Sequence, residues 1–306
     1  MTGGAGTAGH ATSTTVPDTL RIALHDVCAT AGLDPTGAQL IKFTNNAVFE
    51  LAGAPVVIRI AGSQTARDRV PTVITVARWL AAHDMPSVRL DPRVDQPVRS
   101  GGHLATLWRQ VPNIGPAPTG TDLGRILRRY HALPPPEQPL PTWRPLRPIR
   151  QRLTETDMLS DSDREFLDAT CDELEDALSR LDCQLPPGPI HGDPFLGNLI
   201  PGPGGPVICD FDSAANGPRE WDLTPVAVGG LRFRYVGEAP TQLAHAYGTD
   251  LTRWPGFTVL RKLRELQLVT SVVPVLRRNP ALTEQWRHRF TTFRDQDHAA
   301  VWTPYR

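Results

Sequence analysis

Between residues 190 and 212 the chain reads IHGDPFLGNLIPGPGGPVICDFD, which sets His191, Asp193, Asn198, Asp210 and Asp212 within one short stretch. Carboxylates this crowded repel one another unless a cation joins them. Asn198-Leu199-Ile200 and Val207-Ile208-Cys209 are short β-forming runs separated by a Pro- and Gly-only segment, which predicts a hairpin. Closing it brings Asn198, at the start of one strand, beside Asp210, at the end of the other, with Asp193 in the loop just before. An amide oxygen beside a carboxylate, with no soft ligand near, suits Mg2+, which takes one or two carboxylates plus substrate phosphates. A third carboxylate, in a loop held by a histidine, can accept a proton from a substrate hydroxyl. These are the parts that phosphoryl transfer requires. His191 reads as a support of the loop. Asp212 stays open between a second-metal ligand and a solvated or capping carboxylate.

The elements that must position these groups fall into two sets. Residues 18 to 33 read as a short amphipathic helix, and QLIKFTNNAVFELAGAPVVIRIA (39 to 61) as three antiparallel strands broken at Thr44-Asn45-Asn46 and at Ala52 to Pro55. A helix is predicted over 71–83 and a strand over 103–111. From Pro112 the pattern turns helical, with helices at 121–133, from Ser162 behind an S-D-R-E capping box, at 256–278 and at 281–294. The expectation is an α+β chain with three parts: a disordered tail (1–17), a nucleotide-binding lobe built on a small antiparallel sheet (18–112) and a mainly helical lobe (113–306).

Composition narrows the function. Lysine plus arginine equals aspartate plus glutamate at 32 each, so no global field attracts nucleic acid or an anionic membrane. The four cysteines show no C-x-x-C pair, no secretory signal opens the chain, and no run approaches a membrane span. A cytoplasmic protein, monomer or homodimer, is expected.

HGDPFLGN, followed twelve residues after Asn198 by DFD and then by GPREWDL, resembles the aminoglycoside phosphotransferase and choline kinase family. The resemblance runs over nearly the whole chain from about residue 18 and implies a protein kinase-like two-lobe fold. It implies ATP and Mg2+ as cofactors, Asp193 as catalytic base, Asn198 and Asp210 as metal ligands, and Asp222 as a brace of the catalytic loop. Where such kinases carry a phosphate-anchoring Lys paired to a Glu, this chain offers Arg59 and no Glu within 71–83, Asp68 falling earlier. Guanidinium also binds phosphate; the alternative is a surface arginine on an edge strand. No glycine-rich loop is present, and Thr44, Asn45 and Asn46 stand where phosphate would be met. Backbone groups from Arg109 to Val111 are the expected adenine contacts, with Trp108 either behind them or simply a core aromatic.

Regional charge is the only purchase on the acceptor. Residues 155–182 carry eleven acidic and two basic side chains, and residues 241–306 carry ten basic and five acidic. The acidic run, with Glu155, Asp157 and Asp161, would suit a polycationic aminoglycoside, or it faces water. The basic helices, with Arg261, Arg264 and Glu265, suit a neutral or partly anionic acceptor. The expected activity is phosphorylation of a hydroxyl on a small metabolite or antibiotic. A degenerate nucleotide-binding homologue is the main alternative. A metal-dependent hydrolase using His191, Asp193, Asp210 and Asp212 is a third.

Overall fold

Short β-branched runs between Gly-, Pro- and Asn-rich breaks fold as strands here, and the 3.6-residue apolar periods fold as helices. The computed structural model describes residues 17–43, 46–234 and 237–305. The disordered-tail expectation therefore lies almost wholly outside the described residues, as do Thr44 and Asn45. The described chain forms two compact units. One runs to Ile74 and resumes over Arg89–Gln110; the other holds Thr75–Val88 and everything described from Val111 on. Where the sequence suggests one boundary after residue 112, the chain crosses between units three times.

In the first unit, α1 (Asp18–Ala31) precedes β1 (Gln39–Phe43), β2 (Asn46–Glu50) and β3 (Val56–Ala61); α2 (Gln64–Ala82) follows, belonging to this unit as far as Ile74 and to the other from Thr75, and then come β4 (Val98–Ser100) and β5 (His103–Arg109). The strands form one antiparallel sheet in the order β1-β2-β3-β5-β4. Alternation sorts its two faces. Ala47, Phe49, Val56, Ile58, Ile60, Ala105 and Leu107 pack with Ala23, Leu24, Val27 and Cys28 of α1. On the other face Ala61 and Leu104 pack under Ala66, Val70 and Ile74 of α2. That burial explains why α2 begins seven residues before the predicted start. Pro71 reads as a first-turn proline, yet Ser63 caps the helix (3.1 Å to Ala66 N–H) and Pro71 sits inside it. Apolar packing on both sides of the proline offsets its lost hydrogen bond.

The second unit is helical: α3 (Gly120–Ala132), α4 (Arg147–Glu155), α5 (Asp161–Ser179), α6 (Glu220–Arg232), α7 (Ala239–Tyr247), α8 (Phe257–Thr270) and α9 (Thr283–Arg294). The α5 cap is Ser160, whose hydroxyl accepts from Asp163 N–H, two residues before the predicted capping box. Between α5 and α6 lie four short strands. β6 (Gly188–Ile190) pairs with β9 (Ala215–Gly217), and β7 (Leu199–Gly202) pairs with β8 (Gly205–Ile208). The hairpin turn is tighter than the proline spacing suggests. Pro201 and Pro206 face each other inside the strands, and only Pro203-Gly204 turns the chain.

Candidate active site

β6 ends at Ile190 and delivers His191-Gly192-Asp193. This loop is held by side chains distant in sequence. Asp222, in the first turn of α6, is fully buried and accepts the His191 N–H at 2.7 Å and the Gly192 N–H at 2.8 Å. Its position also places a carboxylate at the positive end of the helix. Trp221, the residue before it, donates Nε1–H to the Gly192 carbonyl at 2.7 Å. Gly192 itself has φ +88°, and a Cβ there would lie 2.0 Å from the Ser213 carbonyl oxygen, so no other residue fits without moving backbone.

The brace has its own support. His131 of α3 lies 3.0 Å from Asp222 through Nε2 and 2.8 Å from the Tyr247 hydroxyl through Nδ1. With Nε2–H donating to the carboxylate, Nδ1 accepts the phenol proton. Burial, reinforced by Asp222, pushes the Tyr130 phenol well above its ordinary range. Tyr247 is pushed up to about 12, by burial first, with Arg219 opposing and Asp222 adding to the rise. Both phenols therefore stay protonated well above neutral pH, and that of Tyr247 donates to His131. Trp221 stands in the quoted GPREWDL segment without a role assigned to it, and His131 and Tyr247 are not singled out by the sequence at all; nothing local gives these roles, because the partners are 29 to 116 residues away in the chain.

His191 is buried, with Nε2–H donating to the Cys209 carbonyl at 2.9 Å and Nδ1 accepting from Asp193 N–H at 3.4 Å. Both ring nitrogens are thus committed, Nε2 tying the loop to the segment after β8 and Nδ1 bonding within the loop. Asn198 completes the turn: its Nδ2 donates to the Asp193 carbonyl at 2.9 Å, and its own carbonyl accepts Cys209 N–H at 3.0 Å. The expectation set Asn198 beside Asp210 at the ends of the two strands. The register Leu199↔Ile208 puts Asn198 opposite Cys209, and Asp210 follows directly with φ 70° and ψ 64°, in the left-handed region. A left-handed aspartate costs about 1 kcal/mol and persists only where the surroundings impose it.

These donors fit a hard divalent cation. The Asn198 amide nitrogen is taken by Asp193, so its oxygen is the atom it can offer. No cluster of three or more His, Cys, Asp or Glu able to hold a metal occurs among the described residues. An amide oxygen and one or two carboxylates suit a magnesium-like ion that completes its shell with water and phosphate oxygens.

Asp193 carries a partner that sequence spacing does not place there. Arg264 of α8 brings Nη2 within 2.8 Å of Asp193 Oδ1. This is an ion-pair distance without hydrogen-bond alignment, since Oδ1 is buried without a donor, and Arg264 Nε is likewise buried without an acceptor.

In the sheet unit Arg59 occupies the central strand, not an edge. It is half-buried, lies opposite Val48 and Thr106, and is on the face turned away from α1. Asn46 is buried at the start of β2. Asp68 lies on α2 after all, because the helix starts early, but it is exposed and accepts from Gln64 at 2.6 Å. Arg109 N–H is committed to the Arg89 carbonyl and Gln110 N–H to the Pro55 carbonyl, both at 2.9 Å. Trp108 is buried and donates to Thr106 Oγ1 at 2.8 Å. A groove of about 760 Å3, lined by Arg67, Asp68, Arg99 and His103 among others, lies beside the β4–β5 turn; of the sequence-predicted site residues only Asp68 lines it.

Five of the eleven acidic side chains in residues 155–182 are paired within the fold. Asp157 meets Arg277 (2.8 Å), Asp163 meets Arg294 (3.6 Å), Glu173 meets Lys262 (2.7 Å), and Asp172 and Glu175 share Arg150 of α4. No helix among the described residues is long and apolar enough to cross a membrane.

The family model described as the phosphotransferase enzyme family (APH) matches residues 42–266. No curated protein matches the chain in sequence. Several solved structures share its fold. An amicoumacin kinase, hAmiN, in complex with AMP-PNP, Ca2+ and Ami is 16% identical with TM-score 0.64, covering 88% of this chain and 91% of its own. A choline/ethanolamine kinase family protein from Mesorhizobium loti is 18% identical with TM-score 0.62, covering 93% and 95%. An aminoglycoside phosphotransferase, APH(2")-IIIa, in a GDP and kanamycin complex is 16% identical with TM-score 0.58, covering 91% and 98%.

Proposed function

The chain belongs to the phosphotransferase enzyme family, and we propose that it transfers the γ-phosphoryl group of ATP to a hydroxyl of a small molecule. In this reading the acceptor oxygen forms its bond to Pγ as the bond from Pγ to the bridging oxygen breaks. ADP leaves with that electron pair, and the hydroxyl proton passes to the Asp193 carboxylate. Asn198 and Asp210 would hold Mg2+, with Asp212 as a further carboxylate; bound there, the ion supplies neutralising charge on the phosphates. Arg59 and Asn46, with Thr44 and Asn45 preceding it in sequence, would meet phosphate oxygens. The Arg109 carbonyl and the Val111 N–H meet adenine, the amides of Arg109 and Gln110 being already committed. All four cysteines are free thiols, in keeping with a cytoplasmic enzyme.

The observation that carries this reading is the support of the loop. Asp222, Trp221, His191 and Asn198 between them fix the backbone of residues 191–193, presenting one partly exposed carboxylate, Asp193. That is how a general base is held for a substrate rather than for the fold. The hydrolase alternative asks His191 to ligate metal, and both its ring nitrogens are already bonded.

The test is Asp193→Asn. ADP release driven by a panel of alcohols should fall by roughly 10^2 to 10^4-fold, with Mg-ATP still raising the melting temperature. The replacement of the usual Lys–Glu pair by Arg59 and an exposed Asp68 favours one rival, a nucleotide-binding homologue without turnover. Stabilisation of the wild type by Mg-ATP, with no alcohol consumed, would establish that rival instead.

A further inference from the structure

The Arg264–Asp193 contact points beyond the transfer reaction, though it rests on that reading of Asp193. Four observations define it. Arg264 Nη2 lies 2.8 Å from Asp193 Oδ1. That oxygen receives no aligned hydrogen bond, and Arg264 Nε is buried with no acceptor. Nη1 is spent on Gln267 Oε1 at 3.2 Å. Finally, the next residue along α8, Glu265, is itself shared by Arg232 (2.7 Å) and Arg261 (2.8 Å), so three guanidiniums are held by two carboxylates, Glu265 and Asp193.

The Nε–Nη2 edge of a guanidinium is a fork that matches the two oxygens of a carboxylate. Here that edge has one oxygen at ion-pair distance, poorly aligned, and nothing on Nε. An unmet buried donor is costly, and the neighbouring Asp193 cannot satisfy it without ceasing to be available to a hydroxyl. A second anion would satisfy both demands. We infer that Arg264 is the acceptor-recognition residue and that the acceptor is a small hydroxy acid, whose carboxylate occupies the Nε–Nη2 fork. Its binding draws the guanidinium off Asp193 Oδ1 and frees that oxygen for the hydroxyl proton. In the transfer step the substrate oxygen bonds to Pγ, ADP departs with the electrons of the broken bond, and Asp193 holds the proton. The carboxylate of the acceptor takes no part except to hold Arg264. A polycationic acceptor would instead meet a guanidinium at the base, while five of the eleven acidic side chains in residues 155–182, Asp157 among them, are already paired with Arg or Lys.

Two readouts test this on the full chain, using three-to-six-carbon hydroxy acids, each with its primary amide and its amino-alcohol counterpart. The first is binding, by calorimetry with and without Mg-AMP-PNP. The acid of at least one set should bind roughly 10 to 100-fold tighter than its amide, and Arg264→Gln should bring the two within about threefold. The second is ADP release, where the acid should lead by a similar factor in kcat/KM and Arg264→Gln should act mainly through KM. Arg264→Lys keeps the charge but loses the fork, and should recover only part of the preference. Retention of Mg-ATP stabilisation shows that each variant is folded. Acid, amide and amine binding alike, the amine binding best, or a preference for acid untouched by Arg264→Gln would each overturn the inference. Selective, Arg264-dependent binding of the acid without any ADP release would uphold the inference and overturn the transfer reading of the site.

Discussion

Asp222 lies 3.0 Å from a ring nitrogen of His131, and Glu173 lies 2.7 Å from Lys262 Nζ. By distance the second contact is the closer. Their surroundings reverse that order. Asp222 is fully buried and accepts two backbone N–H groups besides, so its three donors have no other partner to turn to. Glu173 is 66% exposed and Lys262 40% exposed, and water replaces either partner at little cost. The same contrast separates the loop that carries Asp193 from the surface where α5 meets the basic helices. In the loop, electrostatics fixes a geometry; on the surface, it balances charge.

The largest effect follows from removing the buried acceptor. Asp222→Ala leaves the His191 and Gly192 amides and the Nε2 side of His131 unpaired in the interior, at a cost of about 3–5 kcal/mol. Thermal unfolding should occur roughly 10 °C lower, and phosphoryl transfer should fall further than nucleotide binding, because the loop that presents Asp193 loosens first. A melting shift under about 2 °C would remove the distinction between the two regions.

The hairpin and the helical identity of the second unit are legible locally, in the Pro-Gly breaks and apolar periods. The sheet is less so: three residues make β4, too few to show a period, and the apolar burial that extends α2 past Pro71 is a tertiary fact. The site divides in the same way. Asp193, Asn198, Asp210 and Asp222 stand in motifs and can be read. His131, Tyr247 and Arg264 act at the loop from helices remote in sequence, and no spacing rule reaches them. The acidic run of α5 invites a cationic ligand until its partners on α4 and α8 are seen.

A middle effect comes from the outer end of the buried chain. Tyr247→Phe removes only the hydroxyl on His131, which should lower stability by about 1 kcal/mol and leave most transfer activity. It also carries a signature in pH. The Tyr247 phenol is raised from its ordinary 10.0 to about 12 by burial, with Asp222 adding. Its protonated form therefore contributes stability fully below pH 10, and that contribution is lost as pH rises toward 12. Denaturant titrations of wild type should weaken across that window more steeply than those of Tyr247→Phe. Equal slopes would detach the phenol from the network.

The smallest effect belongs to the exposed pair. Lys262→Gln should change stability by at most about 0.5 kcal/mol, and the difference should vanish by about 1 M salt, where the screening length is near 3 Å. Acceptor preference should not move either, since Glu173 is released to water rather than to a substrate. If Lys262→Gln instead opened the enzyme to cationic alcohols, the α5 carboxylates would form part of the acceptor site. The charge balance between α5 and α8 would then act as a selectivity filter rather than a surface neutralised within the fold.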